Sequence, residues 1–388
     1  MLNLTCCIEI KKSIINLQIE RGYNMDKYIF CINFGSTSSK FALYNNDQLI
    51  AEQSISHSKE ELSKCSSINE QLPLRQSYAE TFLEQHHMSV KDLSAIAARA
   101  GVTPPVDFGA YMINDCMVDR LFNHPLVDHA MNLTPVVAYR LAQGTDILVM
   151  TYDSCTTNQM EPVYKISGIP EIERSHMCHT ENIRAVAFKT AKKLQKNYED
   201  LNLVIAHLGG GISATAHSHG RIIDSMDSNS GAFSPERAGI LPSRALAKLI
   251  YSNKFTEAEL YKRLEGNGGM LAYLGTADGR DVEKMIASGN KQAELIYHAM
   301  AVQVSKEIGA LSTDLLGNVD AIVLTGGLAH SKLFVDWIRE RTAFIAPVTV
   351  FPGEYEMEAL ALGALRVLNR HEEAQIYQER GYVLWAKK

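Results

Sequence analysis

The sequence predicts an α/β protein of two domains built by duplication, and three features carry that reading. At 388 residues the chain is longer than one hydrophobic core usually organises, and its 46% apolar content suffices for two. A strand, turn and strand near the start return in the same order 174 residues later. Long stretches of helical periodicity fill the intervals.

In chain order, the first 24 residues, MLNLTCCIEIKKSIINLQIERGYN, do not read as a signal peptide, because Glu9, Lys11 and Lys12 interrupt the only apolar stretch. Met25 stands just before the first strand, and Glu20-Arg21-Gly22 can be encoded by a purine-rich run like a bacterial ribosome-binding site. Residues 1–26 are therefore expected to be an extension whose first 24 residues come from a mis-called start. N-terminal sequencing that finds Met1 on the natural protein would refute this.

The pattern then reads as strand YIFCINF, a Gly/Ser/Thr turn, strand KFALY, a polar turn at Asn45-Asn46-Asp47 and a third strand. From Leu203 the chain repeats this as LVIAHL, the turn Gly209-Gly210-Gly211, ISATAH, a turn at His219-Gly220, and RIID. The offset sets Asn33 against His207 and Gly35 against Gly209. A third turn, Gly326-Gly327, follows the apolar run in DAIVLTGGL and precedes the helical pattern SKLFVDWIRERT. Helices are expected over 183–197 and 293–315.

Composition excludes several functions. The net charge is −6, from 38 basic and 44 acidic residues with no polybasic block, which argues against a nucleic-acid partner. No apolar run approaches the roughly 18 residues that span a bilayer, so no membrane partner is expected. Seven scattered cysteines without metal-ligand spacing read as reduced thiols of a cytoplasmic protein.

The turns carry the chemistry. Asn33-Phe34-Gly35-Ser36-Thr37-Ser38-Ser39-Lys40 groups hydroxyls, backbone donors and one cation, as a phosphate site would, with Ser36, Thr37, Ser38 and Lys40 as the phosphate loop. It is not a Walker A loop, and taken alone it is a polar hairpin. Three successive glycines at 209–211 cost on the order of 1 kcal/mol each against Ala in regular structure. They imply a close approach of something to the backbone, a nucleotide phosphate or a crossing of the sheet.

At these motifs the chain resembles the butyrate kinases of the acetokinase family, in the superfamily of sugar kinases, heat-shock ATPases and actin (ASKHA). The resemblance runs from about Lys27 to about Arg370 and rests on NFGSTSSK, HLGGGIS, FSPERAGILP, GGMLAYLGTADGRDVEK, LTGGLAHS and FPGEYEMEALALGALRVL. It implies a duplicated actin-like, two-lobed α/β fold with ribonuclease H-like mixed sheets flanked by helices. One domain would comprise 27–165 with 355–388 and hold the acyl substrate; the other would comprise 166–354 and hold the nucleotide. The implied reaction is Mg²⁺-assisted, in-line transfer of phosphate from ATP to a short-chain fatty acid, butyrate first, with propionate, acetate or branched acids as alternatives. The implied assembly is a homo-oligomer.

By motif position the resemblance assigns catalysis to Asn33, Arg99, Asp153, His179 and Arg237. It assigns the nucleotide to Gly209, Gly210, Gly211, Asp278, Arg280, Gly326 and Gly327, and the metal to Glu356, or else Glu354. Arginines suit a phosphoryl group because a planar guanidinium grips two oxygens and stays charged. For Asp278 a helix N-cap remains open. The chain also departs from the relatives: Phe34 and Ala100 replace Pro and Gly, TYDSCTTNQMEP is more polar than usual and would put a polar wall near the acyl pocket, and HTEN replaces small and apolar residues after His179, bringing Glu181 close to the expected phosphate site. Ala100 would be strained if its φ were positive. A non-catalytic nucleotide-binding relative is the alternative of another class, and a hydroxamate assay for acyl phosphate separates the two.

Overall fold

Tyr28–Phe34 (β1) shows why the chain folds in layers. Its even members Phe30, Ile32 and Phe34 are buried among the residues of helices Leu72–Gln85 and Leu133–Leu141, while Ile29 and Cys31 are buried against helix Glu356–Leu368. A strand apolar on both faces needs helices on both sides. The computed structural model describes residues 26–227 and 230–378. The extension at 1–24 and Met25 lie outside the described residues.

After β1 come Ser38–Asn45 (β2), Gln48–Ser56 (β3), Ala95–Ala98 (β4), Ala110–Met112 (β5) and Leu148–Tyr152 (β6). The second half supplies Leu203–Leu208 (β7), Ile212–Ser218 (β8), Arg221–Met226 (β9), Ala321–Gly326 (β10) and Val348–Pro352 (β11), and Gln375–Ile376 is β12. One sheet has the order β12-β5-β6-β4-β1-β2-β3 and the other β11-β10-β7-β8-β9. Both are mixed: β1 runs antiparallel to β2 and parallel to β4, as β7 does to β8 and β10.

The duplication extends to side-chain phase. Val204, Ala206 and Leu208 face the core built around helix Lys291–Asp314, while Leu203 and Ile205 face helix Thr180–Leu194. The 174-residue offset thus maps each face of β1 onto the matching face of β7. Each meander also carries a register shift at a similar place, between Leu43 and Tyr44 and between Ala216 and His217. The turns differ, because Phe34 pairs with Ser39 across four residues and Leu208 pairs with Ile212 across three.

Both expected helices are present with shifted ends. The first is Thr180–Leu194, stopped by Gln195 in the left-handed conformation at φ 55°, and the second is Lys291–Asp314, whose first amides donate to the Asn290 side chain. Ala100 is not among the positive-φ residues, so the strain considered there does not arise. Among the described residues, no helix is long and apolar enough to cross a membrane.

Candidate active site

The shared phase of β1 and β7 sets equivalent polar residues at their C-terminal ends. Asn33 continues the Ile29 and Cys31 face, and its Nδ2 donates to Glu356 Oε2 at 2.7 Å at the start of helix Glu356–Leu368. His207 continues the Leu203 and Ile205 face and meets Asn182, in the first turn of helix Thr180–Leu194, at 2.7 Å from Nδ1. Each strand end therefore meets the opening turn of the helix covering that face.

Asn33 is 2% exposed, and its Oδ1 accepts from Arg99 Nη1 at 3.2 Å. It thus links a cation to a carboxylate. His179 stacks on His207 with ring centroids 3.9 Å apart and planes 9° apart, and its Nδ1 lies 3.0 Å from Ser213 Oγ. Asn182 also donates to Thr325 Oγ1 at 3.2 Å and accepts from the Tyr355 amide at 3.0 Å, which ties the His207 stack to the chain entering helix Glu356–Leu368.

A cavity of about 230 Å³ collects Arg99, His179, Arg237 and Glu356, with Val102, Val127, Met131 and Met177 as its apolar wall. Arg237 comes from a loop fixed by its neighbours: its amide donates to Ser234 Oγ at 3.1 Å, and Ser234 Oγ donates to the Gly210 carbonyl at 2.7 Å. Gly269 packs beneath that loop at φ +55°, and a Cβ there would lie 1.9 Å from the Ser234 carbonyl oxygen. No side chain larger than hydrogen fits.

A second cavity, of about 710 Å³, is lined by Gly209, Gly210, Asp278, Gly279, Arg280 and Gly327, with Glu354 and Pro235 at its edge. No residue lines both, but the two adjoin along the chain, since Pro235 and Glu354 line the larger cavity and Arg237 and Glu356, two positions on in each case, line the smaller. Asp278 caps helix Gly279–Ala287, accepting from the Arg280 amide at 2.9 Å, and pairs with the Arg280 guanidinium at 2.6 Å. The N-cap reading and the cavity position therefore hold together. Gly211 and Gly326 do not line this wall. Gly326 instead passes the Leu208 backbone so closely, at φ +90°, that a Cβ would come 2.6 Å from its carbonyl oxygen. Here the crossing of the sheet accounts for the glycine.

Other expected residues are also displaced. Asp153 does not face the Arg99 cavity: it is 1% exposed, pairs with Arg184, accepts from the Gly109 amide at 2.9 Å and occupies the left-handed region at φ 47°. Burial opposes the Arg184 cation most strongly, but the Asp153 charge, Tyr152, Tyr198 and the hydrogen bond to Asp153 together outweigh it and raise the arginine's pKa. The pair serves as an internal anchor for helix Thr180–Leu194. Ser36, Thr37 and Ser38 line neither cavity. Their loop is held by Arg75, which donates to the Ser38 carbonyl at 3.0 Å and the Ser36 carbonyl at 3.2 Å, and by His129, whose Nε2 lies 3.0 Å from Ser36 Oγ. Lys40 pairs with Glu354 at 2.8 Å.

Arg75 and His129 were not found from sequence. Arg75 is 0% exposed although it sits in a polar-looking helix, and burial pushes its pKa down to about 10. His129 lines the smaller cavity beyond any local motif. His179 is held well below the usual histidine range, by burial first and then by His207, Arg237 and Arg99, so its ring is neutral at neutral pH. Burial raises Glu181 well above the carboxylate range, opposed by Arg99 and reinforced by Glu356 and Asp153.

Among the described residues, no group of three or more His, Cys, Asp or Glu could hold a metal ion. A magnesium ion needs less, taking one or two carboxylates and completing its shell with water and phosphate oxygens. Glu356 fits that demand with one oxygen steadied by Asn33, whereas Glu354 Oε2 is engaged by Lys40.

This arrangement belongs to a known class of folds, the mixed α/β, two-sheet fold also seen in solved acetate and propionate kinases. The crystal structure of acetate kinase from Porphyromonas gingivalis superposes with a TM-score of 0.73 at 17% identity, covering 88% of this chain and 100% of that one. A propionate kinase from Francisella tularensis gives 0.71 at 18% identity over 87% and 98% of the two chains. Acetate kinase from Entamoeba histolytica gives 0.72 at 15% over 90% and 99%. Within the chain, residues 171–343 match the model of the Acetokinase family.

Proposed function

We propose that the protein transfers the γ-phosphate of ATP to a short-chain carboxylic acid, butyrate before propionate, acetate or branched acids, giving an acyl phosphate and ADP. The observation that carries this is the convergence of Arg99, His179, Arg237 and Glu356 on one small cavity that adjoins a larger glycine-lined one. Two arginines beside an apolar wall suit a phosphoryl group next to a short alkyl carboxylate, whose combined negative charge has to be offset. Residues 27–165 with 355–388 are assigned to the acyl side and 166–354 to the nucleotide side.

In the reaction a carboxylate oxygen of the acid attacks the γ-phosphorus while the bond from phosphorus to the β,γ-bridging oxygen breaks, and ADP leaves with that electron pair. Arg99 and Arg237 hold the equatorial oxygens of the transferring group. His179, neutral and with Nδ1 facing Ser213, donates from Nε2 as negative charge spreads over those oxygens. Asn33 orients Arg99 and Glu356. Magnesium, held by Glu356, would offset charge on the β- and γ-phosphates. Asp278, Arg280, Gly209, Gly210 and Gly327 form the nucleotide side. The test is hydroxamate capture of acyl phosphate with acetate through hexanoate and branched acids. Folded protein that binds ATP but yields no hydroxamate with any acid would instead favour nucleotide binding without catalysis.

A further inference from the structure

Glu181 stands in the wall of the same small cavity as Arg99, His179 and Met131 and is 6% exposed. Among the described residues it forms no ion pair within 4.0 Å, and its burial is opposed by the more distant Arg99 cation and then by the Ala100 amide. Burying a carboxyl group without a direct ion pair is costly, where an apolar residue of similar volume would carry no such cost and suit an alkyl chain better. The segment that brings Cys155 to the cavity is also polar. Ser154, Thr156 and Thr157 are buried, Thr156 Oγ1 lies 2.8 Å from Ser154 Oγ and 3.1 Å from Thr103 Oγ1, and Thr157 Oγ1 has no partner. Cys155, between them, reaches the cavity.

We propose that Glu181 is a specificity residue that recognises a hydroxyl group on the substrate's carbon chain, so that the preferred acid is a short hydroxy acid and not the plain fatty acid. This rests on the carboxylate-kinase reading of the cavity and refines its substrate, setting a hydroxylated acid ahead of plain butyrate. A carboxyl group accepts a hydrogen bond from a hydroxyl when ionised and can also donate one when protonated. A substrate ammonium group is disfavoured because Arg99 lines the same cavity. A site that hydrogen-bonds a substrate hydroxyl rejects the analogue lacking it, since the buried polar group is then left unpaired.

The experiment compares kcat/KM for butyrate, 2-, 3- and 4-hydroxybutyrate and 4-aminobutyrate in the wild type and in Glu181→Leu. The expected result is at least a tenfold preference of the wild type for one hydroxy acid over butyrate, reduced to unity or inverted by the leucine. A wild type that prefers butyrate to all three hydroxy acids, or prefers the amino acid, overturns the proposal, as does a ratio unchanged by Glu181→Leu. If that variant does not fold, the wild-type ratio and Glu181→Met decide. If no acid is phosphorylated, the kinase reading fails separately. Calorimetric binding of the same acids to the wild type then decides the pocket, with tighter binding of a hydroxy acid supporting the proposal and equal or weaker binding overturning it.

Discussion

Replacing Asn33 with Ala would separate the two charges that the proposed mechanism needs held together. Asn33 makes two bonds to ionic groups, at 2.7 Å to Glu356 and 3.2 Å to Arg99. Bonds to charged groups contribute about 1.5–3 kcal/mol each, and the longer one contributes less. Both partners border a cavity, so water recovers part of the loss. A net cost of about 2–3 kcal/mol in the transition state, at about 1.4 kcal/mol per decade, lowers kcat roughly 30- to 150-fold. KM for ATP should change by less than about threefold, because the nucleotide walls belong to the adjoining cavity. Asn33→Asp should be worse than Ala, since it sets a carboxylate against Glu356. Hydroxamate kinetics measure both variants, with thermal melts to confirm folding. An alanine variant within twofold of the wild type, or an aspartate variant more active than alanine, would refute the reasoning.

Arg237→Ala should lower kcat about 10²- to 10³-fold with the melt preserved, and Arg237→Lys should restore only part, because an ammonium cannot grip two oxygens in one plane; unchanged turnover in the alanine variant removes Arg237 from the mechanism. Asp153→Asn leaves Arg184 buried without its counter-charge, so urea titration should show a loss of about 3–5 kcal/mol while kcat per folded molecule stays near wild type. A kcat collapse at unchanged stability would return Asp153 to the reacting groups. Glu307, whose Oε2 is buried without a partner, is pushed up to about 8 by burial and then by Asp227. A folded pKa above the unfolded 4.5 means that its contribution is intact below about pH 4.5 and is lost as pH rises through 8. Glu307→Gln should therefore gain on the order of 4 kcal/mol over the wild type between pH 4.5 and 8, read from denaturation at both pH values. A difference independent of pH contradicts the assignment.

What the sequence revealed follows from the range of the interactions. The meanders were legible because strand periodicity is local, and the Asn33 to His207 correspondence because a duplication preserves spacing. Arg75 was not, since its burial depends on the Ser36 and Ser38 carbonyls 39 and 37 positions away. Asp153 directly follows β6, but its positive φ and Arg184 turn the carboxyl from the cavity, and spacing does not encode side-chain direction.

The same logic explains how one duplicated unit yields an asymmetric site. Phase gives Asn33 and His207 the same face and the same partner, the first turn of the covering helix. In one half that turn offers Glu356, so the strand-end residue must be an amide that can bridge a carboxylate and Arg99. In the other it offers Asn182, which leaves His207 neutral, its pKa lowered to about 4 by burial, and so able to stack face to face on His179 without charge repulsion. The half that meets a carboxylate thereby organises charge, while the half that meets an amide fixes the orientation of a neutral donor. Exchanging either first-turn residue would deprive its strand-end partner of the group it is matched to, which makes Glu356 and Asn182 the positions where the duplication had to diverge.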